Sequence, residues 1–330
     1  MNFNRLKGQH ELRHALGILL TENRLSHAIL LTGPTGSGKS SWGMALAQAI
    51  LCHQPRHDGA CLECASCRRF HSGNHPEYFL IQPEGRNIKI EQIRTLKKYI
   101  HLVGDKKVCL IKQAESMTAE ACSSLLKILE EPPEGLYFIL LASHPRLLFD
   151  TILSRCQAYT LQPLNFKEVE KLLLEKEGLS GEKASFLARI SGGLPGYAFE
   201  LAEDEQFNDR FAEACSLASK INSGRQSAYQ LLSWAENLAE RSDLLSFLEL
   251  LCLFYRDYLI YNLCEEENKL MHPVSAWQNY GKPVNPQAVE EVIVMINKAI
   301  HELSSTNVNR RLLFEKMLIL MQRRLKQCPG

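Results

Sequence analysis

The fold is decided by residues 28–40, AILLTGPTGSGKS, in which a short apolar run enters a glycine-rich turn. The run has the composition of a buried strand, and the SWGMALAQAILC that begins at Ser41 carries apolar residues at helical spacing. A strand, this turn and a helix in succession are the context in which GxxxxGK[ST] binds phosphate. Backbone N–H groups of such a turn face a β-phosphate, Lys39 reaches phosphate oxygens, and Ser40 offers its hydroxyl to Mg²⁺. The residues predicted to bind nucleotide are Gly33, Gly36, Gly38, Lys39 and Ser40.

The overall composition excludes several classes of function. A chain of 330 residues has room for two or three domains. Its 38 Lys and Arg nearly cancel its 37 Asp and Glu, so no global basic field holds nucleic acid. The amino-terminal residues lack the apolar core of a secretory signal, and the most apolar stretch, residues 248–264, is interrupted by charges. We therefore expect a cytoplasmic protein without a membrane span.

The pattern of apolar residues changes in character along the chain. Over residues 1–163, strand-like runs alternate with helical periods, which predicts a parallel sheet covered by helices on both faces. From residue 164 onward only helical periods are found. This predicts a fold that is α/β at first and then all-α. The expected domains are 1–163, a small helical domain over 164–206, and a larger helical domain over 207–330.

A cluster of cysteines lies within residues 52–67, just after the helix that follows the glycine-rich turn. Two-residue gaps let neighbouring thiolates converge on one tetrahedral ion, and the surrounding loop is too polar to give free thiols a core. We predict a structural zinc site, with an iron–sulfur cluster as the alternative. The fourth ligand stays open, because His53, His57, His71 or His75 could replace one thiolate. The predicted ligands are Cys52, Cys61, Cys64 and Cys67.

Several segments together resemble the delta-prime subunit family of the bacterial DNA polymerase III clamp loader. They are FNRLKGQHELRHAL, RLSHAILLTGPTGSGKS, the cysteine insert, HPEYFLI, IKIEQIRTLKKYI, MTAEACSSLLKILEEPP, TILSRCQ and NVNRRLLFE. The resemblance implies an AAA+ domain, a three-helix lid and a helical collar. It also implies partners, gamma/tau and delta subunits in a hetero-pentamer, which opens the sliding clamp and places it on primed DNA. The ATP-driven gamma/tau sister subunits share these motifs, so the motifs alone do not separate the two.

Arg155, in the sequence Ser154-Arg155-Cys156, matches the arginine finger of the same family. The resemblance implies that it enters the ATP site of a neighbouring subunit and stabilises charge on the γ-phosphate. The residues themselves are consistent with that role. Arg155 follows a strand and a short loop-helix at an edge of the sheet domain, between two residues that are too small to bury it.

The end of the strand VCLI (108–111) decides whether the chain hydrolyses ATP by itself. An active relative carries there an Asp that holds Mg²⁺ and a Glu that polarises water, but here the positions are Lys112 and Gln113. Gln cannot accept a proton, and the Lys charge repels a metal ion. The lid arginine expected near residues 195–197 is also missing. We therefore predict that ATP or ADP is held without hydrolysis. The chain is then an accessory subunit of a DNA-directed DNA polymerase, without autonomous activity.

Two other functions remain as alternatives to this interpretation. The first is a working AAA+ ATPase similar to gamma/tau, which the glycine-rich turn favours and Lys112 and Gln113 oppose. The second is a DNA-repair P-loop protein that binds DNA by itself. Near-neutral charge and the lack of a basic patch interleaved with aromatic residues oppose the second alternative.

Overall fold

A five-stranded parallel sheet forms the centre of the first half of the chain, as the alternation of strands and helices predicted. The computed structural model describes residues 2–100, 105–175, 179–263, 285–305 and 308–326. The strands are β1 (Ala28–Thr32), β2 (Tyr78–Ile81), β3 (Lys107–Ile111), β4 (Leu136–Ala142) and β5 (Gln157–Thr160). Their order across the sheet is β2-β3-β4-β1-β5, and each described pair is parallel.

Helices cover both faces of this sheet, and two of its three inner strands, β1 and β3, are buried along their whole length. Every residue of β1 and of β3 is buried, as is typical of strands that lack a solvent face. One core lies on the face that carries Leu16 and Leu46, and a second core on the other face contains Ile93 and Leu125. The helices of this part are α1 (His10–Thr21), α2 (Lys39–Leu51), α3 (Ala65–His71), α4 (Ile90–Ile100), α5 (Ala119–Glu130) and α6 (Asp150–Leu153).

Beyond β5 the regular elements of the described residues are all helices, so the predicted change from α/β to all-α is confirmed. The first of them begins at a capping box between Asn165 and Glu168. These helices are α7 (Phe166–Leu174), α8 (Gly181–Ile190), α9 (Pro195–Glu203), α10 (Phe207–Asn222), α11 (Ala228–Ala239), α12 (Leu244–Leu263), α13 (Pro286–Ser305) and α14 (Arg310–Lys326).

The chain divides into two compact units. One comprises residues 1–184 and 191–199, and the other residues 185–190 and 200–330. The finer division into three domains, with boundaries at residues 163 and 206, stays a prediction. Within the described ranges, no helix has both the length and the apolar character that a membrane crossing requires.

Candidate functional site

The glycine-rich turn leaves the carboxyl end of β1 and leads into α2, as the sequence predicted. Its three glycines have positive φ, of 145° at Gly33, 80° at Gly36 and 90° at Gly38. Gly36 cannot be replaced without strain, because a Cβ there would lie 2.9 Å from the backbone nitrogen of Tyr197. The backbone therefore adopts a conformation that only glycine accepts readily, with the first turn of α2 at its end.

Lys39 is held inside this turn. Its Nζ donates hydrogen bonds to the carbonyl oxygens of Gly33 and Pro34, both at 2.7 Å. Burial lowers the pKa of the Lys39 ammonium, and the charge of the Glu115 carboxylate partly offsets that effect. Ser37 Oγ is also buried and has no hydrogen-bond partner among the described residues, while Ser40 is exposed on the first turn of α2. A buried cation and an unpaired hydroxyl are groups that a phosphate can satisfy.

The segment 195–197, where the family resemblance implies a lid arginine, lies directly against the glycine-rich turn. The backbone nitrogen of Gly196 donates to the carbonyl oxygen of Gly36 at 2.8 Å. A Cβ on Gly196 would come within 2.9 Å of Gly36 Cα, so the two backbones are in close contact. Pro195 and Tyr197 complete this segment, which contributes backbone and no cationic side chain to the turn.

The residues that follow β3 offer no carboxylate at the two expected positions. The backbone nitrogen of Lys112 donates to the carbonyl oxygen of Ile81 at 2.9 Å, and the Lys112 side chain is half-buried. Gln113 is exposed and has the left-handed backbone angles φ 50° and ψ 54°. A left-handed residue at this point turns the chain sharply away from the strand direction.

Glu115 supplies a carboxylate to this edge of the sheet that sequence reasoning missed. Its Oε1 accepts hydrogen bonds from the backbone nitrogens of Ser143, at 2.8 Å, and His144, at 3.2 Å. Its Oε2 is buried without a hydrogen-bond partner among the described residues. The interaction ties the turn after β3 to the carboxyl end of β4. The available signal was topological: neighbouring parallel strands end at the same edge, where an acid from one turn can accept N–H groups from the next.

The four predicted cysteines come together in three dimensions. All four Sγ atoms lie within 4.8 Å of one another. The pairs Cys52–Cys64 and Cys61–Cys67 are each separated by 3.9 Å between sulfurs. Four sulfurs at about 2.3 Å from a tetrahedral zinc ion lie about 3.8 Å apart, so these separations fit such an ion.

Backbone N–H groups prepare the cysteine cluster for thiolates. Cys52, Cys61 and Cys64 each accept an N–H from a residue of the cluster, at 3.3–3.4 Å. Burial raises the pKa of Cys64, but N–H donors from Cys67 and His53, together with the thiols of Cys67 and Cys61, outweigh it and bring the pKa to about 6. Burial and the neighbouring sulfurs raise the pKa of Cys67. A dication among the sulfurs would favour the thiolate at every position.

The His75 ring is hydrogen-bonded to groups other than the cysteine sulfurs. Its Nε2 lies 2.9 Å from Ser66 Oγ, whose hydroxyl donates to the carbonyl oxygen of Leu51 at 2.6 Å. On the other side of the ring, Nδ1 accepts the backbone N–H of Glu77 at 3.2 Å. His57 instead faces His14, with ring centroids 5.6 Å apart. Among the described residues, the group near the insert whose ligand atoms lie within 4.8 Å of one another consists of the four cysteines.

Arg155 lies just before β5, at the edge of the sheet opposite to the glycine-rich turn. Its Nη2 donates to Glu130 Oε1 at 2.7 Å, and its Nη1 donates to the carbonyl oxygen of Thr151 at 3.0 Å. A weaker contact joins Nη1 to Ser154 Oγ at 3.3 Å. The Arg155 side chain keeps 35% of its surface exposed. The expected exposed edge position is thus present, and the guanidinium is anchored there.

A parallel sheet of this order, with a glycine-rich turn of sequence GxxxxGKS after β1 and helices following, defines a P-loop protein of the AAA+ class. The family model for DNA polymerase III, delta subunit matches residues 8–165. DNA polymerase III subunit delta' of Bacillus subtilis (strain 168) is 32% identical over 92% of this chain and 93% of its own length. The chain belongs to the delta-prime family of DNA polymerase III subunits.

Two further relatives allow the delta-prime family to be compared with the gamma/tau family. Subunit delta' of Escherichia coli (strain K12) is 28% identical over 92% of this chain and 90% of its own length. DNA polymerase III subunit tau of Bacillus subtilis is 25% identical over 96% of this chain but only 61% of its own length. The resemblance inferred from the motifs is confirmed, on the delta-prime side.

Replacing Glu115 tests whether its carboxylate stabilises the edge of the sheet. Glu115→Ala leaves the N–H groups of Ser143 and His144 without their acceptor, which costs about 1–3 kcal/mol. We expect the unfolding temperature in scanning calorimetry to fall by several degrees. Glu115→Gln keeps an oxygen acceptor and should retain most of the stability, and Glu134→Ala, at an exposed turn, is the matched control. Equal stability of the three variants would contradict this account.

Proposed function

We propose that this chain is the stator of a clamp loader, a subunit that supports ATP hydrolysis by its neighbour without hydrolysing ATP. In this proposal it assembles with gamma/tau and delta subunits in a hetero-pentamer, which places a sliding clamp on primed DNA. Its own turn holds ATP or ADP through Gly33, Gly36, Gly38, Lys39 and Ser40. Arg155 acts in trans. Membership of the delta-prime family supports the assembly, and the geometry of Arg155 supports its role.

The position of Arg155 relative to its own nucleotide site carries the proposal. β1 and β5 pair in parallel, with Ile29 opposite Gln157 and Thr32 opposite Thr160. Arg155 precedes β5, whereas the phosphate-binding turn follows β1, so the two lie at opposite edges of the sheet. A strand of this length separates them by on the order of 15 Å. At this distance Arg155 cannot reach a nucleotide in its own turn, so in this proposal it serves a site on another molecule.

The absence of a carboxylate at positions 112 and 113 supports loss of hydrolysis. Without these acids the site lacks the usual placement of metal and water. Besides the glycine-rich turn, Glu115 favours a working ATPase, because its Oε2 has no partner among the residues described and its charge acts on Lys39. Glu115 Oε1 is occupied by two backbone N–H groups, which hold the carboxylate at the end of β4. We favour the stator for that reason.

The activity of the isolated subunit separates the stator from a working ATPase. We expect the purified chain to show no more DNA-stimulated ATPase than its Lys39→Ala variant, because neither has an acid that activates water. Nucleotide binding, measured with a fluorescent ATP analogue, should be lost in Lys39→Ala. Turnover by the native chain that disappears in both Lys39→Ala and Glu115→Gln would instead establish the ATPase.

Replacing Arg155 in the reconstituted complex tests its role in trans. Arginine fingers contribute roughly 10³–10⁵ to the rate of hydrolysis at the site that they enter. We expect Arg155→Ala to lower ATPase and clamp loading at that site while leaving assembly intact. Arg146→Ala removes an exposed arginine from the preceding turn and is the matched control. Full activity of the Arg155 variant would refute the finger.

Cys52, Cys61, Cys64 and Cys67 are proposed to hold one structural Zn²⁺. The sulfur separations and the N–H donors support four thiolate ligands, which leave no position open for water. Three of the cysteines also belong to the hydrophobic core around Leu46, so the ion would fasten the insert to α2. When bound, the metal would cross-link the four cysteines of the insert and would take no part in a reaction.

Metal analysis tests this site directly. We expect about one zinc per chain by atomic emission, and loss of that zinc in Cys61→Ser together with a lower unfolding temperature. Cys252→Ser changes a half-buried cysteine outside the cluster and should retain the metal. Stoichiometric iron would indicate an iron–sulfur cluster instead, and a metal-free native chain would refute the site.

A further inference from the structure

Glu130 occupies a position that helix stability alone does not favour. It is the last residue of α5, and Glu131, Pro132 and Pro133 follow it. The carboxyl end of a helix carries partial negative charge, so an acid in the last turn is repelled. Glu130 is compensated by Arg155, whose Nη2 lies 2.7 Å from its Oε1. The Glu130 carboxylate is therefore stabilised by Arg155 and not by the end of its own helix.

The end of α5, which carries Glu130, and α6, which precedes Arg155, pack into the same hydrophobic core. Ile152 in α6 and Leu129 in α5 are both fully or almost fully buried in the same hydrophobic cluster. The carbonyl oxygen of Leu129 also lies 3.2 Å from His27 Nε2, which fixes the last turn of α5 to the start of β1. The backbone nitrogen of Arg155 donates to the carbonyl oxygen of Ile152 at 3.1 Å. The distance between the backbones of Glu130 and Arg155 is thus set by packing.

The hydrogen bonds of the Arg155 guanidinium leave some of its N–H donors available to a further ligand. Its three hydrogen bonds go to Thr151, Ser154 and Glu130. A guanidinium has five N–H donors, so two remain without an acceptor among the described residues. A phosphate oxygen can take these donors while Glu130 keeps its own. The ion pair is therefore compatible with a second, anionic ligand.

We propose that Glu130 is the positioning residue of the arginine finger. It holds the Arg155 guanidinium in one orientation at the amino-end edge of the sheet, with two donors available to the γ-phosphate of a neighbour's nucleotide. A long arginine side chain loses conformational freedom when it binds, and prior anchoring reduces that loss. This inference rests on the proposed role of Arg155 in trans.

The test compares Glu130→Gln with Glu131→Gln in the complex reconstituted with the gamma/tau and delta subunits. Glu130→Gln keeps the size of the side chain but removes the charge that orients Arg155. Glu131 is exposed, makes no ion pair in the described part of the chain, and is one residue away. We expect Glu130→Gln to lower kcat for ATP by roughly two- to five-fold, the range of a half-exposed ion pair, with little change in KM. Glu131→Gln should have no effect.

The same measurement in an Arg155→Ala background separates positioning from general support of the structure. If Glu130 acts only through Arg155, Glu130→Gln has no further effect once the arginine is gone. An equal loss of ATPase activity in both backgrounds would overturn the inference. A gain of activity in Glu130→Gln would also overturn it, because it would mean that Glu130 keeps Arg155 away from the neighbour's nucleotide. Full activity of Arg155→Ala alone would instead refute the finger, and this inference with it. Unchanged unfolding temperatures exclude misfolding of the variants.

Discussion

Parallel pairing of β1 between β4 and β5 is the constraint on which the rest of the α/β unit depends. Because these strands run in one direction, their carboxyl ends meet at one edge and their amino ends at the other. The glycine-rich turn after β1 and Glu115, bound at the end of β4, share the first edge. Arg155 and Glu130 share the second. The sheet thus places the proposed nucleotide site and the proposed arginine finger at opposite edges.

Several hydrogen bonds hold the glycine-rich turn in its conformation. Lys39 donates to two carbonyl oxygens of its own turn, and Gly36 accepts an N–H from Gly196. Glu115 provides a negative charge near the buried ammonium. These interactions stabilise the conformation of the turn, which suits a subunit whose proposed task is to hold a fixed shape. A subunit that cycles through hydrolysis needs the opposite, a turn whose contacts change with the nucleotide.

The cysteine insert shows how a polar loop becomes part of a core. Residues 52–67 carry little apolar surface of their own, yet Cys52, Cys61 and Cys67 are buried in the cluster that contains Phe3. Sulfur is apolar enough to be buried there, and the N–H donors prepare it for charge. A bound metal would join these two properties, because it neutralises thiolates that burial alone would keep protonated.

Local pattern in the sequence determined the parts of the protein that depend on neighbours along the chain. Residues 28–40 predicted a strand, a turn and a helix, because positive φ at Gly36 and the burial of β1 are local requirements. The spacing of Cys61, Cys64 and Cys67 likewise brings sulfurs together within one short loop. Only the tertiary structure decided that Glu115 reaches the end of β4 and that Glu130 meets Arg155. These pairs lie 28 and 25 residues apart, on elements that only the order of the strands and the packing of α5 against α6 bring together.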